Sequence, residues 1–130
     1  AYKIELEVNP SPWKYETFVS SFEVGQKGLI CMHDRKIMGF LIFSTVNPEA
    51  HILSISVRTQ MQSKGIGTLL LQSMLKQCKA MNYKKIFLEV RVSNTQAINF
   101  YEKFGFSKDA IRDNYYKDNS EDALLMSLPI

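Results

Sequence analysis

The sequence predicts a mixed-sheet α/β domain. Three observations predict it. Strand signals, read from alternating or continuous apolar residues, are interleaved with helical periodicity. A strand–helix–strand order in the middle of the chain needs a crossover, and hence parallel pairing there. Consecutive strands joined by short turns toward both ends need antiparallel hairpins. The 130 residues suit one unit, a single domain over 1–130. They hold no internal repeat, low-complexity tract or Pro/Gly/Ser linker.

The N-terminal stretch is ambiguous. Tyr2, Ile4, Leu6 and Val8 alternate with Lys3, Glu5 and Glu7, the period of a strand. Ile4 and Val8 also share a helical face, and the residues between them do not resist helix. Asn9-Pro10-Ser11-Pro12 stops either element. Trp13–Ser21 then reads as a short helix capped by Ser11, with Pro12 in its first turn.

Gly28–His33 and Lys36–Thr45 read as strands joined through Asp34-Arg35, a hairpin turn without its usual glycine. Asn47-Pro48-Glu49 turns into a third strand, His51–Val57. Ile66–Met81 is the clearest helix, with Ile66, Leu70, Met74, Cys78 and Met81 at helical spacing and Asn82 as its stop. Ile86–Val92 is a strongly apolar strand. A short helix follows over Thr95–Phe104, ended by Gly105. Phe106–Arg112 and Ala123–Leu128 are the last strands.

Composition narrows the function classes. Hydrophobic residues make up 45% and charged residues 22%, which permits a real core and argues against disorder. A net charge of +3 is too small to argue for nucleic acid and is compatible with an anionic ligand. No apolar run approaches the roughly 18 residues that would read as a membrane span, and no signal peptide opens the sequence. Cys31 and Cys78 read as reduced core thiols of a cytoplasmic protein. His33 and His51 lack Cys or carboxylate partners at metal-ligand spacing, so no metal is expected.

The most specific local feature is Gln62-Ser63-Lys64-Gly65-Ile66-Gly67-Thr68, between a strand and the long helix. A helix N-terminus offers free N–H groups and the positive end of its dipole to an anion. Gly65 and Gly67 let the backbone approach closely, and Lys64 adds a cation. A merely flexible glycine turn is the bland alternative. A P-loop fails because no glycine lies five residues before Gly65. A dinucleotide fingerprint fails because position 70 is Leu70.

The pattern Gln/Arg-x-x-Gly-x-Gly/Ala between strand and helix resembles the pyrophosphate loop of GNAT acetyltransferases. So do Leu88-Glu89-Val90-Arg91-Val92-Ser93-Asn94, Ala97-Ile98 and Tyr101-Glu102-Lys103-Phe104-Gly105-Phe106 downstream. Arg112-Asp113-Asn114-Tyr115-Tyr116, Glu121 to Met126, and Pro12-Trp13 with Phe18 resemble the branch of that superfamily that acetylates the N-terminal alanine of a ribosomal protein. The resemblance implies a GNAT-like acyl-CoA N-acyltransferase fold. It places Ala1–Val8 in the family's first helix, so helix is the favoured reading of residues 2–8. The family's first edge strand would then be missing, as from an N-terminally shortened sequence.

The resemblance implies an acetyl-CoA-dependent enzyme acting on a protein N-terminal amine, the N-terminal alanine of a small-subunit ribosomal protein. Acetyl-CoA and that N-terminus are the expected partners, without nucleic acid or membrane. An α-amine, with a pKa of roughly 7.7–8.0 against about 10.4 for lysine, is about one-tenth neutral near pH 7 and needs only a weak base.

Glu89 is the implied base and Tyr101 the implied acid for the leaving thiolate. Read without the resemblance, Glu89 is a surface carboxylate, solvated or paired with Arg91, and Tyr101 a core aromatic. Asn94 is both an expected CoA contact and an expected N-cap. Backbone groups of Ile55, Ser56 and Val57 would hold the pantetheine and the acetyl carbonyl, as an oxyanion site does. Gln62 to Thr68 would hold the diphosphate. Tyr115 and Tyr116 line the peptide site or simply pack. The rival readings are a lysine or small-amine acetyltransferase on the same fold, and a non-catalytic CoA-binding module.

Overall fold

The structure is a computed structural model that describes residues 3–6, 16–23, 26–58 and 65–130. Among the described residues, eight strands and two helices follow one another as β1 (Lys3–Leu6), β2 (Glu16–Glu23), β3 (Gln26–His33), β4 (Lys36–Val46), β5 (Glu49–Val57), α1 (Ile66–Ala80), β6 (Lys85–Arg91), α2 (Thr95–Phe104), β7 (Ser107–Tyr116) and β8 (Glu121–Pro129). They form one mixed sheet in the order β1-β2-β3-β4-β5-β6-β8-β7. Among the described residues the only parallel pair is β5 with β6, which brackets the α1 crossover as the sequence predicted.

The N-terminal edge corrects three expectations. Residues 3–6 are a strand rather than part of a helix, and pair antiparallel with β2 from Lys3↔Ser21 to Leu6↔Phe18. Glu16–Glu23 is a strand on the flank of β3, not the continuation of a helix over 13–21. The edge is therefore occupied by two strands rather than lacking one. The physical reason is that period-two alternation at residues 2–8, and the β-branched and aromatic run Thr17-Phe18-Val19, favour extended chain. The exposed edge of β3 supplies backbone partners for it. The expected Ser11 cap, Pro12 and Trp13 lie outside the described residues.

The other elements match within one to four residues at each end. The β3–β4 hairpin turns through Asp34 (φ 50°) and Arg35 (φ 64°), a left-handed pair achieved without glycine. Asn82 takes φ 61° just after α1, and Gly105 takes φ 125° just after α2, as their stop positions predicted.

The core lies between α1 and the sheet. Leu29, Leu41, Phe43, Leu70, Leu71, Met74, Ile86, Leu88 and Met126 are fully buried. Each such side chain contributes roughly 1.5–3 kcal/mol on leaving water. α1 packs across β3, β4 and β5, which points its N-terminus at the C-terminal end of β5.

The feature that makes a site is a disagreement between neighbouring strands. β5 and β6 share only three rungs, Glu49↔Lys85, Ala50↔Ile86 and His51↔Phe87. Two residues later β5 carries a bulge. Ile42 faces Ser54 and Phe43 faces Ile52, leaving Leu53 without an opposite number on β4. A bulge bends its strand. β5 stays with β4 as far as Val57, while β6 stays with β8 as far as Arg91. The sheet opens between them.

Candidate active site

Two hollows meet in that opening. One, of about 620 Å³, lies between the end of β5 and the N-terminal parts of α1 and α2. Its walls include Ile55, Val57, Gly65 to Thr68, Asn94 and Phe100. The other, of about 470 Å³, faces the far side of the split and is lined by Leu53, Ser54, Glu89, Arg91, Tyr101 and Tyr116 among others. Ile55, Asn94 and Ala97 line both, so the two hollows adjoin at the split.

The first hollow suits an anion. Gly65, at φ 84°, is the N-cap of α1; among the described residues no side chain caps this helix end, and its first turn holds no acidic residue. The first amide N–H groups have no acceptor within the helix and lie in the positive field of its dipole. Gly65 is needed for its left-handed conformation. Gly67 has a packing role that the sequence did not suggest. A Cβ there would stand 3.0 Å from Phe100 Cζ, so the residue lets α2 come up against α1 and close one wall. Gln62, Ser63 and Lys64 lie outside the described residues. Gln96, Asn99 and Lys103 of α2 also line this hollow and were not foreseen. They occupy positions on an amphipathic helix that read as plain solvent face.

The backbone of β5 faces the opening. The Arg58 N–H donates to the Met38 carbonyl at 2.9 Å. Counting back by alternation, Ser56 and Ser54 bond to β4, while the Ile55 amide and carbonyl point away from β4 into the split. Of the three β5 residues singled out from the sequence, Ile55 and Val57 line the hollow. Ser56 does not: it is exposed and pairs across with Phe40.

In the second hollow the structure brings Glu89 and Tyr101 together. Alternation on β6 buries Ile86, Leu88 and Val90 and leaves Glu89 on the other face. The partner of Glu89 is not Arg91, the expected surface pairing, but His51. The His51 Nε2–H donates to Glu89 Oε2. The imidazole lies flat on Phe87, with ring centroids 4.4 Å apart and planes 8° from parallel. Sequence reasoning passed over His51 because Glu89 is 38 positions away; only the parallel rung His51↔Phe87 brings them together.

Tyr101 is buried between Phe100 (5.4 Å) and Phe106 (5.5 Å). Burial pushes its phenol up to about 12, with the neighbouring Tyr116 adding to the effect. It therefore keeps its proton throughout the neutral range and is available as a donor. The core-aromatic reading of this residue fits its burial, and the residue also lines the second hollow. Asn94 also does two things. Its Oδ1 accepts the Ala97 N–H at 3.2 Å, capping α2, and it lines both hollows.

Arg91 holds the rim. It donates to both Asp118 carboxylate oxygens (3.1 and 2.9 Å), to Asn119 (3.1 Å) and to Glu121 (3.4 Å). Its guanidinium lies 4.1 Å from the centroid of Tyr116. Hydrogen bonds from Ser93, and then from Arg91 and Asn119, keep the Glu121 carboxyl below its ordinary range. Burial, then Tyr115, raise the Tyr116 phenol. The tyrosine pair divides: Tyr116 lines the hollow with Glu89, and Tyr115 stands edge-on behind it at 5.0 Å.

Comparison with known proteins agrees with this architecture. The acetyltransferase (GNAT) family model matches residues 2–106. The [ribosomal protein bS18]-alanine N-acetyltransferase of Escherichia coli strain K12 is 36% identical over 139 aligned positions, covering 100% of this chain and 89% of that protein. An N-alpha-acetyltransferase of Saccharolobus solfataricus is 34% identical, over 98% of this chain and 84% of its own length. The crystal structure of the ribosomal-protein-S18-alanine N-acetyltransferase from Escherichia coli superposes with a TM-score of 0.77 at 34% identity, over 84% of this chain and 72% of that one. No helix among the described residues is long and apolar enough to cross a membrane. A sheet split between its one parallel pair, an uncapped glycine-led helix end beside the split, and these likenesses over nearly the whole sequence lead to one conclusion: this chain belongs to the GNAT acetyltransferase family and is an N-acetyltransferase.

Proposed function

We propose that the enzyme transfers the acetyl group of acetyl-CoA to the α-amine of a protein N-terminus, and that its acceptor is the N-terminal alanine of a small-subunit ribosomal protein. The observation that carries this reading is the pair of adjoining hollows, one lined by the glycine-led N-terminus of α1 and the other by Glu89 and Tyr101.

Acetyl-CoA fits the first hollow, its diphosphate on the free amides at Gly65–Thr68 and its pantetheine along Ile55 and Val57. Bound there, it supplies an electrophilic thioester at the split. The acceptor amine enters from the Glu89 side. The amine nitrogen bonds to the thioester carbon, and the carbon–sulfur bond breaks. Glu89 takes the proton the amine releases, and Tyr101 gives its proton to the departing sulfur. The Ile55 N–H, directed into the split, is placed to stabilise the carbonyl oxygen as it gains charge. Holding amine and thioester together supplies much of the remaining acceleration. No covalent enzyme intermediate is required, so the buried Cys31 and Cys78 take no part.

A peptide panel tests the acceptor. Peptides starting with alanine and carrying an internal lysine should be acetylated at the α-amine only, and blocking that amine should abolish turnover. Turnover that survives blocking would move the activity to lysine. Glu89→Gln and Tyr101→Phe should each lower kcat by roughly 10²–10⁴-fold, with little change in acetyl-CoA affinity. Wild-type kcat in both variants would remove the assigned base and acid.

A further inference from the structure

The mechanism leaves one group unused. His51 does not line either hollow, yet it bonds to the residue proposed as base. Resting on that reading of Glu89, we infer that His51 is a positioning residue: its Nε2–H holds Oε2 of Glu89 and thereby turns the other carboxylate oxygen toward the acceptor amine.

Four observations carry this. His51 sits on the last rung before the sheet opens, opposite Phe87, where the backbone on both sides is still fixed. Its ring is clamped flat on Phe87, which sets the direction of Nε2. Both side chains are largely screened from water, 24% exposed for His51 and 13% for Glu89, so solvent competes poorly for the bond. Glu89 stands just where β6 has lost β5 as a neighbour, and a glutamate carboxylate on three rotatable bonds needs an anchor to act from one place. Imidazole can be that anchor without standing in the acceptor's way, because His51 lines neither hollow.

The neighbourhood leaves the pair intact. By strand alternation, Glu49 and Lys85 lie on the same face one step before His51 and Phe87. Arg91 lies one step beyond Glu89, and its guanidinium is committed to Asp118, Glu121 and the Tyr116 ring. Across β4 the register partner of His51 is Ser44, and across β8 those of Phe87 and Glu89 are Ser127 and Leu125.

The test compares His51→Ala, His51→Asn, His51→Gln, Glu89→Gln and the double variant His51→Ala/Glu89→Gln in steady-state acetylation of an alanine-starting peptide. Acetyl-CoA binding is measured by calorimetry to establish that each variant is folded. Loss of the anchor in His51→Ala should lower kcat by on the order of 10- to 100-fold, the size of a misplaced catalytic group, with the KM for acetyl-CoA unchanged. His51→Gln, whose amide N–H can still reach the carboxylate, should recover most of kcat. His51→Asn, which is too short, should not. In the Glu89→Gln background, His51→Ala should cost nothing further. An unchanged kcat in His51→Ala, or the same fractional loss with and without Glu89, overturns the inference. If His51→Ala does not fold, equal kcat in the Asn and Gln variants overturns it instead. Full turnover by Glu89→Gln is the separate outcome in which the base assignment itself falls.

Discussion

Gly67 on α1 and Phe100 on α2 touch so closely that a Cβ on the glycine would stand 3.0 Å from the ring. The contact fixes the separation of the two helices whose N-terminal parts wall the first hollow. Gly67→Val should therefore weaken acetyl-CoA binding more than it unfolds the protein. Overpacking of this kind costs about 1–3 kcal/mol, partly offset by the gain in helix propensity over glycine. Calorimetry and a urea melt on the same variant check it. Unchanged acetyl-CoA affinity would show that the helix spacing does not govern the hollow.

Asn94 caps α2 through the Ala97 amide. Asn94→Ala should cost about 1 kcal/mol of stability, the usual loss for an N-cap. It should also raise the KM for acetyl-CoA, because the residue lines both hollows. Asn94→Ser keeps a capping oxygen and should restore stability while leaving the KM raised. If stability and KM recover together, the residue acts through the cap alone.

Arg91 ties Asp118, Asn119 and Glu121 to the ring of Tyr116 beside the hollow proposed to take the acceptor. Arg91→Met keeps the aliphatic stem and removes these bonds. The acceptor KM should rise several-fold while the acetyl-CoA KM holds, since only one of the two hollows is disturbed. Equal rises in both constants would mean that Arg91 supports the sheet as a whole.

Alkaline pH should unfold this protein through its buried acids. Burial lifts the Tyr101 phenol from 10.0 to about 12, and the Cys31 and Cys78 thiols from 9.0 to about 11. Each folded-state value exceeds its unfolded one, so below the unfolded value both states hold the proton and stability does not change. As pH climbs toward the folded value, only the unfolded chain releases protons, and stability falls. The decline should start near pH 9 with the thiols and continue from 10 to about 12 with the phenol. Urea melts at successive pH values follow it, and Tyr101→Phe should flatten the upper part. The thiols should resist iodoacetamide at pH 8 until denaturant is added; rapid labelling of the native protein would contradict their burial.

The second half of the chain was legible because its signals are local and mutually consistent. The i, i+4 spacing from Ile66 to Cys78, stops at Asn82 and Gly105, and the β6 alternation each state their own element. The N-terminal stretch was not. Its residues are compatible with helix, and strand formation there depends on the open edge of β3, a partner that local sequence does not display.

The same division runs through the site. The sequence by itself determined which chemical groups exist: an amide-rich glycine turn before α1, a carboxylate at 89, a phenol at 101 and an amide cap at 94. It did so because helix periods, turn chemistry and strand alternation are encoded within a few residues of one another. Only the tertiary structure decided that β5 bulges at Leu53 and parts from β6, that Gly67 serves Phe100 rather than a phosphate alone, and that His51 rather than Arg91 holds Glu89. Those relations depend on which strand lies beside which and in what register. They are set by packing between segments separated in the chain, from about ten residues between Phe43 and Leu53 to 38 between His51 and Glu89, where no local pattern reaches.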